Sequence, residues 1–230
     1  MVKKLIASDY DGTFRHGGIS DYNKEMIRKW REKGNYFGIV TGRGMNFFND
    51  VREDGIDDIL DYLIIYNGAY ISDMDGNVLY ESFIPRSVFV ELEKLFSGYK
   101  EIKNYDKATD AEFYHQYYAE FPDYEKALEA AKVANEKFGH KIDAFVNGPH
   151  VNIAKLGSSK AESVKFILEH YGLKPEEGAV VGDDYNDLDM IKQHHGWAMA
   201  SGKPAVIAEA EHTCESVGAL AEELMKQNAE

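Results

Sequence analysis

The sequence predicts an α/β fold, a Rossmann-like parallel-sheet core carrying an inserted α+β domain. Three observations predict it. Short apolar strands alternate with amphipathic helices over the first 80 residues, the alternation resumes from Ser158, and the intervening stretch is rich in Tyr and Phe. On this reading residues 1–81 and 155–230 form a discontinuous core and 82–154 the insert.

Each element has a local reason. Lys3 to Ser8 is a short apolar run broken by Asp9-Tyr10-Asp11-Gly12. Ser20 can cap a helix with Met26, Ile27 and Trp30 on one face, stopping at Gly34. Tyr36 to Val40 is the next strand, ended by Thr41-Gly42-Arg43-Gly44, and a helix from about Met45 to Arg52 follows. Tyr62 to Tyr66 is a third strand, and Asp73-Met74-Asp75-Gly76-Asn77 turns a hairpin between 69–72 and 78–80. The insert holds two amphipathic helices, 86–96 and 123–138, with strand-like stretches at 112–118, 141–146 and 150–154. A helix over 159–170 and a strand from Gly178 to Val181 restore the alternation, and Gly182-Asp183-Asp184-Tyr185-Asn186-Asp187 breaks that strand. Strands apolar throughout predict a sheet covered on both faces, with ligands beyond the carboxyl ends of its strands.

Composition excludes several classes. Lys plus Arg total 26 against 40 Asp plus Glu, a formal charge of −14. Such acidity argues against nucleic acid, whose binding rests largely on cations meeting phosphates, and against anionic membrane surfaces. The longest stretches without a charged residue, 62–72 and 144–154, are eleven residues each, whereas a membrane span needs roughly 20. The apolar run at the N-terminus is too short for a secretory signal core. One cysteine, Cys214, allows no intrachain disulfide and predicts a cytoplasmic location.

Four polar clusters carry the chemistry. In Asp9-x-Asp11-Gly12-Thr13 two carboxylates two residues apart can point into one space, a crowding that a cation would relieve; an Asx-type turn is the plain alternative. Thr41-Gly42-Arg43 offers a hydroxyl and backbone amides to a phosphate, or simply caps a helix. Lys160 stands at a helix start, where a cation is unfavourable unless an anion meets it; a solvated lysine is the alternative. In the fourth cluster Asp183, Asp184 and Asp187 suit a hard cation such as Mg2+. Neither an EF-hand loop nor a Walker-type nucleotide loop fits the spacings.

The order Asp-x-Asp-Gly-Thr, Thr-Gly-Arg, Lys, Gly-Asp-Asp-x-x-Asp resembles the haloacid dehalogenase superfamily of phosphotransferases, and within it the Cof-type phosphatases, which insert a type-two α/β cap between the second and third motifs. The resemblance covers the whole chain and implies a Mg2+-dependent phosphomonoester hydrolase acting on a small phosphorylated metabolite, a sugar phosphate or phosphoglycolate-like acid. It implies that Asp9 is the nucleophile, forming an aspartyl-phosphate, and Asp11 the general acid and then base. Thr41, with Gly42, would bind a phosphoryl oxygen, Lys160 would neutralise charge, and Asn186 would touch the substrate phosphate. Asp183 would ligate Mg2+ with Asp9 and the backbone carbonyl of Asp11, while Asp187 supports the metal's water shell. Asp11 then needs a protonated population, expected from Asp9 and partial desolvation.

A phosphomutase with the same Asp pair is the competing enzyme, and a phospho-accepting receiver-like domain the competing non-enzyme. No nucleic-acid or membrane partner is expected, and the chain is read as a monomer or homodimer. The insert is expected to set substrate choice. Its Tyr114, His115, Tyr117, His150 and Asn152 are candidates, although aromatics along Phe113–Tyr118 are expected to pack the insert's own sheet. His194-His195 is read as a solvated pair on a helix and not as a metal pair, since adjacent helical residues diverge, and Cys214 as a small buried apolar residue.

Overall fold

A computed structural model describes residues 4–227. The chain divides into two compact units, Met1–Leu79 with Lys160–Glu230, and Tyr80–Ser159. The division falls at 79/80 and 159/160, where composition suggests 81/82 and 154/155.

The chain opens with β1 (Leu5–Ser8), whose four residues are all buried; Lys3 lies outside the described residues. Helix α1 (Asp21–Glu32) starts where Ser20 accepts a hydrogen bond from the Asn23 amide at 3.1 Å. It buries Met26, Ile27 and Trp30. Strand β2 (Tyr36–Val40) follows, then α2 (Phe47–Glu53), β3 (Tyr62–Ile65), β4 (Tyr70–Asp73) and β5 (Val78–Glu81). Helix α2 begins two residues later than the sequence suggests, because the Met45 amide donates to the Tyr66 hydroxyl at 3.2 Å and belongs to the preceding loop. Strand β3 stops before Tyr66, since Tyr66 and Asn67 both have φ +53°, a left-handed conformation that leaves a strand.

In the second unit come β6 (Ile84–Pro85), α3 (Arg86–Ser97), β7 (Asn104–Tyr105), β8 (Phe113–Tyr114), β9 (Gln116–Glu120), α4 (Tyr124–Phe138), β10 (Ile142–Asn147) and β11 (His150–Lys155). Strands β10-β11-β9-β7 form an antiparallel sheet, and β6 pairs with β8. This unit has its own core, in which Ala127, Ala130, Ala131 and Ala134 of α4 join Phe89, Phe96, Tyr117 and Phe121. The small side chains at helical spacing let that helix lie close to its neighbours.

The first unit then resumes with α5 (Lys160–His170), β12 (Gly178–Gly182), α6 (Leu188–Gln193), β13 (His195–Met199), α7 (Pro204–Glu209), β14 (His212–Cys214) and α8 (Val217–Gln227). Its sheet runs β14-β13-β12-β1-β2-β3-β4-β5. The six strands from β14 to β3 are parallel, and β4 runs antiparallel to β3. The architecture is mixed α/β with a mainly parallel sheet. One sequence reading is corrected. His194 and His195 are not on a helix: α6 ends at Gln193, and His195 opens β13. Cys214 is buried with its Sγ 4.0 Å from Met199 Sδ, and burial pushes its thiol up to about 12.

Helices α1 and α8 are tied by a buried side chain. Asn23 Oδ1 accepts from the Gly218 amide at 2.9 Å, and its Nδ2 donates to the Phe14 carbonyl at 3.3 Å. Asn23→Ala strands both backbone groups, so stability should fall by roughly 2–4 kcal/mol. Urea unfolding measures this; a change below about 0.5 kcal/mol, the range of an ordinary surface substitution, would contradict it.

Candidate active site

Strands β12, β1 and β2 are neighbours, in the register Ser8↔Val181 and Ser8↔Ile39. Asp9, Thr41 and Asp183 each follow the last residue of one of them, so parallel pairing alone brings the three loops to one edge of the sheet. The Asp9 amide still donates to the Val181 carbonyl at 2.9 Å, which continues the β1–β12 pairing through its backbone.

Lys160, the first residue of α5, is buried between two carboxylates, its Nζ 2.7 Å from both Asp9 Oδ1 and Asp187 Oδ1. It is 1% exposed, so the solvated-lysine alternative does not hold. The anions that make sense of a cation at a helix start are the protein's own side chains. Asp187 Oδ2 accepts from the amides of Asp183 and Asp184, at 3.0 and 3.1 Å, and shapes the loop. Thr13 Oγ1 donates to Asp183 Oδ1 at 2.7 Å. Gly12 has φ +88°, and a Cβ there would collide with the Asp183 carboxylate. Both facts demand glycine.

Burial pushes the Asp9 carboxyl up to about 8; the Asp187 charge adds to this and Lys160 opposes it. Burial also raises Asp183, against the Thr13 hydrogen bond. At Lys160 burial opposes the charge, but Asp187 and Asp9 outweigh it and hold the ammonium above the ordinary lysine value. Three carboxylates thus share one ammonium in a desolvated space. Oxygens of Asp9, Asp183 and Asp187 lie within 4.8 Å of one another. An all-oxygen donor set with surplus negative charge fits a hard divalent cation such as Mg2+.

Asp11 is placed differently. Its side chain is 54% exposed, and both its oxygens accept from Arg43, at 2.7 Å from Nε and 2.6 Å from Nη2. The Asp11 side chain is thus more open to solvent than that of Asp9. Arg43 Nη1 also donates to Asp50 at 2.7 Å, and the guanidinium lies 4.9 Å from the Tyr10 ring centre. Thr41 is buried, its hydroxyl accepting from the Arg43 amide at 3.2 Å. Gly42 packs on the Asn67 side chain, and Asn186 is half-buried in the single turn 185–187. Sequence reasoning gave no role to Arg43, Asp50 or the Thr13 side chain. An arginine in one strand-end loop and a carboxylate in the next was the available signal.

The insert candidates have local partners. Tyr117 is fully buried, Tyr114 stacks on Phe89 at 3.8 Å, His115 Nε2 lies 2.8 Å from Glu81, and His150 Nδ1 lies 2.9 Å from the Tyr118 hydroxyl. Asn152 is half-buried in β11, opposite Phe145 and Tyr118. Phe113 remains 49% exposed, so the aromatic run packs the insert only in part.

A family model for haloacid dehalogenase-like hydrolases matches residues 6–116 and 90–219. The chain belongs to that superfamily, as a phosphatase of the Cof type. It is 27% identical to the 5-amino-6-(5-phospho-D-ribitylamino)uracil phosphatase YcsE of Bacillus subtilis, over 91% of this chain and 88% of that protein. A Streptococcus pyogenes protein, provisionally assigned as a bifunctional phosphatase/peptidyl-prolyl cis-trans isomerase, is 25% identical over 86% of this chain. The chain spans about half of that longer protein (47%). Among solved structures, a subclass IIB sugar phosphatase of the superfamily shares the fold with TM-score 0.82 at 20% identity, covering 98% of this chain and 99% of its own.

The shifted carboxyls set a pH dependence. Asp9 binds a proton in the folded state up to about pH 8 but in the unfolded state only below about 4. The folded protein therefore holds more protons between those values, so without metal its stability falls as pH rises from about 4 to 8. Thermal melts in EDTA should show this decline, and Asp9→Asn should flatten it. Added Mg2+ should stabilise more at pH 8 than at pH 5; equal stabilisation at both would contradict the assignment.

Proposed function

We propose that this chain is a Mg2+-dependent phosphomonoester hydrolase working through an aspartyl-phosphate on Asp9, with a small phosphorylated metabolite as substrate. The observation that carries this reading is the buried Asp9 carboxylate held by Lys160 beside Asp183. A sugar phosphate or phosphoglycolate-like acid is the substrate class. In support, the Bacillus subtilis relative is named for a phosphorylated ribityl compound. The location proposed is the cytoplasm, as a monomer or homodimer. The lone, buried cysteine suits a reducing compartment, and no helix among the described residues is long and apolar enough to cross a membrane.

In the first step a carboxylate oxygen of Asp9 forms a bond to phosphorus while the phosphorus–oxygen bond to the alcohol breaks. Asp11 gives its proton to the departing oxygen. In the second step Asp11 takes a proton from water, whose oxygen bonds to phosphorus and releases Asp9. At about 4 Å and an effective dielectric near 20, each like-charge pair opposes attack by roughly 4 kcal/mol. Lys160 lowers that cost at Asp9. Asp9 and Asp183 would hold Mg2+, with the Asp11 carbonyl, and Asp187 would support its water shell. The ion supplies two further positive charges against the phosphate. Thr41, Gly42 and Asn186 are assigned to the phosphoryl oxygens. Arg43 holds Asp11 as an acceptor on both oxygens, so proton donation requires Asp11 to release one arm of the guanidinium.

A screen of phosphorylated metabolites should show phosphate release that needs Mg2+ and stops in EDTA. Asp9→Asn should lower kcat at least about 1,000-fold. Turnover retained by Asp9→Asn would remove the assigned nucleophile, and an isomer formed without phosphate release would make the protein a mutase. The substrate order found in this screen should follow residues 80–159 when they are exchanged for a homologous insert. Arg43→Lys keeps the charge but loses the planar fork. Its kcat should fall roughly 10–100-fold through misplacement of Asp11, with KM nearly unchanged. A KM effect alone would assign Arg43 to substrate binding.

A further inference from the structure

We propose that His195, Glu211 and His212 form a second metal site, for a borderline divalent ion of the Zn2+ class, at the outer edge of the core sheet. Strands β13 and β14 run parallel with Trp197 opposite His212. His195 lies two residues before Trp197 and so projects from the same face. The two imidazole rings stand 5.2 Å apart. Glu211 precedes His212, its amide donates to the Gly196 carbonyl at 2.9 Å, and its Oε2 lies 2.6 Å from His195 Nδ1. One donor atom from each of the three side chains lies within 4.8 Å of the other two.

The donor set is two imidazole nitrogens and one carboxylate, a combination used for Zn2+ and unlike the all-oxygen cluster around Asp9. His195 and His212 stand on paired strands rather than on a loop, which fixes their spacing before an ion arrives. A surface recess of about 380 Å³, lined in part by Glu211, His212, Thr213 and Glu223, leaves room for a water to complete the coordination. A plain hydrogen bond accounts for the His195–Glu211 pair, and packing on Trp197 at 4.6 Å accounts for the His212 ring. Neither requires a donor atom of each of the three side chains to lie within 4.8 Å of the other two. To bind an ion at about 2.0–2.2 Å in tetrahedral geometry, the His195–Glu211 pair must open by roughly 0.7–0.8 Å, which an exposed glutamate can do.

The site is remote from phosphoryl transfer. His195 pairs with Ala179, near the start of β12, whereas Asp183 follows that strand's other end. The separation along the strand is about 13 Å at ~3.3 Å per residue. An ion here clamps the edge strand β14 to β13.

Trp197 reports on the site, since Trp30 is the only other tryptophan. With excess Mg2+ present to occupy the carboxylate cluster, Ni2+ should quench fluorescence saturably, and Zn2+ should compete. The response should persist in Asp183→Asn. His195→Ala and His212→Ala should each weaken Ni2+ binding on the order of 100-fold, since removing even an outer-shell partner of a metal site costs roughly 10–100-fold. Glu211→Gln and His212→Gln carry the test if either alanine variant does not fold. Phosphate release by His212→Gln should stay at the wild-type level. No saturable quenching in the wild type, or equal affinity in the histidine variants, overturns the proposal.

Discussion

The ammonium of Lys160, sealed between Asp9 and Asp187, is the interaction on which the catalytic end of the molecule depends. A buried lysine with one carboxylate would be a neutral pair. Here it has two within 2.7 Å, and Asp183 stands beside them. Removing Lys160 would leave two buried carboxylates without their shared cation, a loss typically of about 3–5 kcal/mol. Burial first, and neighbouring carboxylates second, raise Asp9 and Asp183, and that surplus of negative charge makes the cluster receptive to a divalent cation. Stability and readiness for phosphate thus draw on one balance of charge.

Strand order delivers these groups. Asp9 and Asp183 are far apart in the chain, yet they follow adjacent strands paired in register, so no long side chain has to search for its partner. Asp187 completes the arrangement from within its own loop by accepting two backbone amides. Glycine at position 12 lets the two acidic loops approach without a side chain between them.

Much of this was legible in the sequence. The apolar runs before Asp9, Thr41 and Asp183 mark three strands, and Ser20 marks the start of α1. These signals are local, set by period and capping. What was not legible depends on contacts across distance. His195 follows a helix-like stretch and reads as its continuation, but pairing with β12 makes it a strand residue. The fork from Arg43 to Asp11 joins residues 32 apart, and the meeting of His195 with His212 needs the register of β13 against β14. Tyr66 gives no warning of its left-handed backbone, because nothing in a tyrosine favours φ +53°. Exposure of Asp11 is likewise a tertiary property.

The discontinuity of the core has a consequence for biogenesis. Strand β1 sits mid-sheet, between β12 and β2. A chain emerging from the ribosome makes β1 through β5 first, and until residue 178 arrives β1 is a bare apolar edge with its hydrogen-bonding groups unmet. The intervening unit has a separate core, so it can shorten the closing loop by collapsing first. The interval before β12 docks is the period of greatest exposure to aggregation, and chaperone demand should concentrate there.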